Sequence, residues 1–355
     1  MTKYDPILAA ARRARAAIPD DVAMLRAAAD LAREFSVADP RIFWSDMLAS
    51  ALAGWGALAG AILVDNVAIA VACGFVAMLA LYRAASFIHE LTHYRKGALP
   101  GFRAGWNLIV GIPLMIPSFM YEGVHTQHHA RTRYGTAEDP EYLPLALMKP
   151  WSLPLFILVA SLAPVGLILR FGVLTPLSLL IPPLRAKVVA EFSALSINPS
   201  YRRRAPEGDF ARMWAAQEAG ACFVALALIG SVFAFGWKPL LVYMAVHAAM
   251  TVVNQLRTLV AHLWENEGEP MTVTAQYLDS VNVPPPAMLP ALWAPVGLRY
   301  HALHHLLPSV PYHALGKAHA RLMATLDMES PYRKGNYTGM MPLVGKIARS
   351  TMRAR

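Results

Sequence analysis

Apolar residues run almost unbroken through residues 47–64 (MLASALAGWGALAGAILV) and again through 67–86 (VAIAVACGFVAMLALYRAAS). A helix rising about 1.5 Å per residue needs roughly 20 apolar residues to cross a bilayer, and both runs are long enough. Only Asp65 and Asn66 separate them, which predicts a tight helical hairpin. A second pair of runs, 220–236 and 239–258, turns at Gly236-Trp237-Lys238-Pro239 and predicts another. Two apolar stretches between the pairs are less regular. Residues 106–120 are short and carry Pro113 and Pro117, the pattern of a re-entrant or interfacial piece. Residues 151–184 are broken by Pro154, Pro164, Pro176, Pro182 and Pro183, with Arg170 between the halves. They predict an interfacial or half-inserted region, with a crossing as the alternative. The expected fold is an all-α polytopic membrane protein. It has four transmembrane helices in two hairpins, plus interfacial helices and a histidine-rich cap.

The polar stretches orient this scaffold. The Asp65-Asn66 turn has no Lys or Arg, whereas both flanks of its hairpin are basic, so the positive-inside rule puts the turn outside and the cap in the cytoplasm. Residues 185–212, including Arg202, Arg203 and Arg204, fall on the same side as the cap, and so does everything from about residue 259 onward. Residues 1–46 form an N-terminal helical segment with no apolar run of the kind a cleavable signal peptide needs. Asp20 and Asp21 stand where they can cap a helix through VAMLRAAADLAREF. The expected division is 1–46, a membrane unit over 47–320, and a basic tail over 321–355.

Composition agrees. Hydrophobic residues make up 56% of the 355 and charged residues 15%, against about 25% in soluble domains. Mean hydropathy is +0.39. The formal net charge of +9 reads as membrane-edge loops rather than a nucleic-acid surface, since the basic residues flank apolar runs and no zinc-finger or RNA-binding motif occurs. Cys73 and Cys222 lie inside apolar stretches and suit neither a disulfide framework nor a cysteine metal site.

Histidine changes the picture most. Of twelve, nine gather near one another in the sequence: His89 and His93; His125, His128 and His129; His262; and His301, His304 and His305. Helical residues four apart differ by about 40° in direction and those three apart by about 60°, so HxxxH and HxxHH present two or three imidazoles together. His89-Glu90-Leu91-Thr92-His93 taken alone fits the HExxH zinc protease pattern. A catalytic zinc takes three protein ligands and a water, which leaves most of the nine unexplained. His247, His313 and His319 read as ordinary structural histidines, with His247 a neutral mid-span imidazole bonded to another helix. Eight or nine imidazoles on one side of a membrane suit two metal ions with four or five nitrogen ligands each. Iron fits such a set where O₂ must also bind.

HELTH (89–93), HTQHH (125–129) and HALHH (301–305) resemble the three histidine boxes of the membrane fatty acid desaturase and hydroxylase superfamily. The resemblance covers roughly residues 47–320. It implies two irons, with O₂ as co-substrate, held by His89, His93, His125, His128, His129, His262, His301, His304 and His305. His262 enters because NQLRTLVAH (254–262) is similar to the family's additional metal-side segment. Asn254 is implied to lie near the site, through water, and Glu90 to orient an imidazole. Similar orienting roles are open to Glu122, Glu138, Asp139, Glu265 and Asp279, against a default of ordinary solvated charge.

The first box begins His-Glu where many acyl desaturases have His-Asp. That form is closer to sphingolipid desaturases, alkane hydroxylases and a bacterial desaturase-like branch that includes a terminal-alkene-forming decarboxylase. The expected activity is O₂-dependent oxidation of an unactivated C–H bond in a fatty acyl chain, with desaturation first. Decarboxylation of free medium-chain acids to 1-alkenes and acyl or alkane hydroxylation are the alternatives, and a zinc membrane protease is a distant one. The expected partners are the bilayer and a separate electron donor, a ferredoxin or a cytochrome with its reductase, with no nucleic acid. The expected location is a bacterial inner membrane, with the active site facing the cytoplasm. A free carboxylate would need a cation, for which Arg83, Arg131, Arg133, Arg257 and Arg299 are candidates.

Overall fold

A computed structural model describes residues 6–94 and 97–353, and among these every regular element is helical. Helix α1, Val22–Phe35, opens with Asp21 as its cap, the carboxylate accepting from Met24 N at 3.1 Å. Helices α2 (Pro40–Leu63) and α3 (Val67–Leu91) form the first hairpin. Asn66 caps α3 by accepting from Ile69 N, so the predicted turn residue ends one helix and starts the next. Gly54 lets the pair close up: a Cβ there would stand 2.7 Å from the Leu81 side chain. The short helix α4, His125–His128, carries the second histidine box.

Helices α5 (Ser152–Ser161) and α6 (Ala163–Leu180) follow. Helix α6 corrects the expected count of crossing helices. Five helices among the described residues are long and apolar enough to cross a membrane, one more than the four expected. Prolines suggested a break here, but Pro164 falls in the first turn of α6, where a missing N–H costs nothing, and Pro176 comes just after a π-turn inside the helix. One π-turn, Arg170–Leu174, joins the two halves. Arg170 is buried rather than at a seam. It donates to Glu218 at 2.6 Å, Ser193 Oγ at 2.8 Å and the Phe192 carbonyl at 2.8 Å. Glu218 also holds Arg185 at 2.7 Å, so one carboxylate compensates two guanidinium groups.

The second hairpin is α7 (Gly208–Phe235) with α8 (Lys238–Leu259). Its turn lies beside that of the first: Lys238 Nζ donates to the Val64 carbonyl at 3.2 Å. Both turns are therefore on one side and the histidines on the other. The region around α5 and α6 starts and ends on the histidine side, since Leu195 N donates to Met120 O and Arg203 to Glu122 O.

The cap is closed by α9 (His301–Leu306), α10 (Tyr312–Thr325) and α11 (Met340–Arg353). Met24, Ala28 and Leu31 of α1 share an apolar core with Leu303, Leu315 and Leu322. The start of α10 is docked on the first hairpin, Tyr312 Oη donating to Asp46 at 2.8 Å and Tyr312 N to Glu90 at 3.0 Å. Asp46 is also held by Arg83 at 2.8 Å. These contacts set the third histidine box against the first.

Candidate metal centre

Each box sits where the chain leaves or re-enters a helix. His89 and His93 occupy the last turn of α3 and the residues just beyond it. His262 stands three residues after α8 ends. The chain then doubles back through 279–283, with Leu263 N on Asp279 O at 2.7 Å and Val281 N on Ala261 O at 2.9 Å. Buried Asn282 accepts from Leu303 N at 2.9 Å, so this segment also fixes α9.

The nine histidines come together as two groups. Ligand-capable atoms of His89, His93, His125, His129 and His304 all lie within 4.8 Å of one another, and so do those of His128, His262, His301 and His305. The boxes are shared between the groups. In HTQHH the i and i+4 residues join the first group and His128 the second. In HALHH, His301 and His305 join the second and His304 the first. The groups adjoin, with the rings of His129 and His305 stacked at 4.2 Å.

The residues fit two metal ions. Nε2 atoms face each other in pairs: His125 with His129 at 2.9 Å, His93 with His304 at 3.0 Å, His262 with His301 at 3.0 Å, and His301 with His305 at 3.1 Å. Each Nε2 pair can form at most one N–H···N bond, so such crowding wastes acceptors unless a cation takes the lone pairs. The outward nitrogens of three rings are engaged, whereas Nδ1 of His89, His301 and His304 has no hydrogen-bond partner among the described residues. His128 Nδ1 donates to Asp139 at 2.9 Å and His125 Nδ1 to Glu141 at 2.9 Å. Tyr134 donates its hydroxyl to Asp279 at 2.9 Å and accepts from His262 Nδ1 at 2.9 Å. Holding the proton on Nδ1 leaves Nε2 as the inward ligand atom.

Electrostatics favour the neutral, ligating form. Burial first, then neighbouring imidazoles, holds His125, His129, His301, His304 and His305 well below the ordinary histidine range. Burial takes His93 down to about 3. In His128 burial also lowers the pKa, but the Asp139 carboxylate outweighs it and raises the group. Burial pushes Glu141 up to about 7 and Asp279 up to about 6.

The other candidates separate. Asp139 touches an imidazole directly and Asp279 acts through Tyr134. Glu122 pairs with Arg103, Glu138 with Arg133 and Glu265 with Arg15. Glu90 lies 3.6 Å from His89 Nδ1, beyond hydrogen-bonding range, and accepts instead from Tyr312 N and Tyr94 Oη. Sequence reasoning missed Glu141, although its place two residues after Asp139, with Glu141 N on Asp139 Oδ1 at 2.8 Å, offers a signal. It also missed Tyr134 and Tyr121, which only tertiary contact reveals. His313 Nε2 and His319 Nδ1 meet Asp39 N and the Tyr332 hydroxyl, as structural histidines do. His247 differs from expectation: it is buried, and neither ring nitrogen has a hydrogen-bond partner among the described residues. The nearest ring, Tyr243, meets it edge-on at 5.7 Å and donates its own hydroxyl to Pro113 O.

A cavity of about 320 Å³ runs from His89, Tyr121 and Glu141 between α3, α8 and residues 194–197, with Ala160 and Ala163 at the α5–α6 junction. His247 and Asn254 line it. Of the five candidate arginines, Arg257 also lines it. Arg83 pairs with Asp46, Arg131 with Asp20 and Arg133 with Glu138, while Arg299 donates to the carbonyls of Val283 and Ala287.

Comparison with known proteins agrees with this geometry. Residues 65–336 match the family described as Fatty acid desaturase. The chain is 46% identical over 332 residues to a protein named "Ceramide hydroxylase" from Caulobacter vibrioides (strain NA1000 / CB15N), covering 93% of this chain and 94% of that one. No solved structure matches it. A zinc protease is excluded with this result, and the protein is a membrane oxidoreductase of mostly helical, polytopic architecture that belongs to the fatty acid desaturase family.

Proposed function

We propose that this protein hydroxylates an unactivated C–H bond in the chain of a ceramide-class lipid, at a di-iron centre held by the nine histidines. The single observation that carries this reading is the pair of adjoining histidine groups, the first of which meets a cavity through His89. The choice of hydroxylation over desaturation rests on the similarity to the Caulobacter protein. Two irons with O₂ and two electrons from a separate ferredoxin or cytochrome supply the oxidising power. The balance is R–H + O₂ + 2e⁻ + 2H⁺ giving R–OH and water.

The protein's own residues do the rest. The aliphatic walls of α3 and α8 bind the hydrocarbon and exclude bulk water from its reactive carbon. Asp139, Glu141 and the Tyr134–Asp279 pair hold the Nδ1 protons of His128, His125 and His262, which fixes each ring. Glu90 holds the backbone N–H of Tyr312 and so ties the chain after the third box to the first. We assign the membrane unit to 47–320, with 1–46 and 321–355 as flanking segments, and the centre to the cytoplasmic face of a bacterial inner membrane.

The test is lipid analysis of cells making the wild type or His128→Ala. A ceramide one oxygen heavier, found only with wild type, is the expected result. A ceramide two hydrogens lighter would turn the reading to desaturation, and a volatile 1-alkene would turn it to decarboxylation. Equal product from His128→Ala would overturn the site.

A further inference from the structure

Arg257 lines the cavity with no ion-paired carboxylate, the Glu141 carboxyl acting on it only from a distance. It lies in the last turn of α8, among the residues bordering the same space as His89, Tyr121 and Glu141. No carboxylate among the described residues comes within ion-pair distance of it, and its Nε is buried with no hydrogen-bond partner there. Its Nη2 donates to Asn254 Oδ1 at 3.2 Å, at the long end of the normal range, and the guanidinium also hydrogen-bonds the Tyr82 side chain.

Other partly buried arginines are better satisfied, Arg203 and Arg299 by two carbonyls each. Arg170 and Arg185 share Glu218, Arg83 has Asp46, and even exposed Arg131 has Asp20. A partly buried guanidinium normally finds an acceptor fork, because its desolvation is otherwise uncompensated. Placing this cation beside a set of imidazoles suited to two metal ions makes the imbalance worse. Plain hydrocarbon in the cavity offers nothing to the unmet N–H. An oxygen on an acyl carbon does, as an amide carbonyl or as a carboxylate. Held there, that oxygen would set which carbons of the chain lie against His89.

We propose that Arg257 binds the acyl oxygen of the lipid substrate, with Asn254 steadying the guanidinium, and so determines both substrate choice and the position oxidised. The inference deepens the hydroxylase reading and rests on it for the substrate class, while its own test rests on binding.

The experiment uses iron-loaded wild type, Arg257→Gln and Arg257→Lys in detergent, with three lipids of matched chain length: an N-acyl sphinganine, a free fatty acid, and an ether analogue lacking the carbonyl. Binding and the KM against kcat split are measured for each. Arg257→Gln is expected to weaken binding of a carbonyl-bearing lipid roughly tenfold to a hundredfold, as loss of a charge-assisted hydrogen bond should, and to raise KM far more than it lowers kcat. Arg257→Lys should restore part of the loss, and the ether analogue should bind all three proteins alike. A larger effect on the N-acyl lipid identifies the oxygen as an amide's, and a larger effect on the fatty acid as a carboxylate's. Unchanged binding in Arg257→Gln, or an equal loss for the ether analogue, would overturn the proposal. Binding without any oxygenated product from wild type would instead sink the hydroxylase reading and leave Arg257 to be judged by affinity.

Discussion

The two histidine groups are built from the same boxes yet backed differently. The group of His128, His262, His301 and His305 lies against the cap. His128 is held by buried Asp139, and His262 by Tyr134, Ser280 and, behind them, Asp279. The group of His89, His93, His125, His129 and His304 meets the cavity through His89. His125 has Glu141 behind it, but neither nitrogen of His89 has a hydrogen-bond partner among the described residues. The His128 group has two rings held from behind, with His301 Nδ1 left without a partner among the described residues; the other has one held ring and meets the cavity through His89. The lesson is that imidazole count does not measure rigidity; the outward hydrogen bonds do.

The sharpest break of this contrast is removal of a ligand. His128→Ala leaves three imidazoles in its group, whereas His129→Ala leaves four in the other. His128→Ala should take iron from about two per chain toward one and cut product by roughly a hundredfold or more. His129→Ala should retain more iron. Metal analysis of both purified proteins checks the order, and a reversed order would show that anchoring is on the other side.

Asp139→Asn comes next. The carboxamide keeps the shape but removes the charge that fixes the His128 proton, so metal affinity should fall by about 10- to 100-fold. Competition with a chelator reads this directly. Tyr134→Phe removes a more remote link, and its loss should lie at or below the bottom of that range.

The smallest effect sharpens the comparison through pH. Burial raises Glu141 to about 7 in the folded protein, well above an unfolded glutamate near 4.3. The folded state then holds that proton more tightly than the unfolded chain. This term favours folding at low pH, fades as pH rises from about 4.3 to about 7, and is constant above. Glu141→Gln has no such term. The difference in melting temperature between metal-stripped wild type and Glu141→Gln should therefore shift against wild type across that window and level off beyond it. A flat difference would mean that Glu141 does not titrate there.

The histidine boxes were legible because helical spacing puts i, i+3 and i+4 on related faces, whatever the rest of the chain does. Their allocation was not. His128 and His129 are neighbours in sequence but about 100° apart around a helix, so they serve different groups. The hairpins and the Asp21 cap were legible because apolar length and cap chemistry are local. Helix α6 was not, since whether an interior proline such as Pro176 breaks a helix or is taken up beside a π-turn is a detail of three dimensions. Tyr121 and Tyr134 carry no local signature, and Glu141 only its place two residues after Asp139.

By itself, then, the sequence determined that this chain crosses a membrane in helical hairpins and gathers nine histidines on one side. Both follow from local hydropathy and helix periodicity. Tertiary structure alone decided which imidazoles converge, which carboxylates stand behind them, and that Arg257 rather than four other arginines faces the cavity. The convergence of the imidazoles and the choice of arginine depend on contacts between residues distant in the chain, whereas Asp139 and Glu141 stand within 16 residues of the rings they hold.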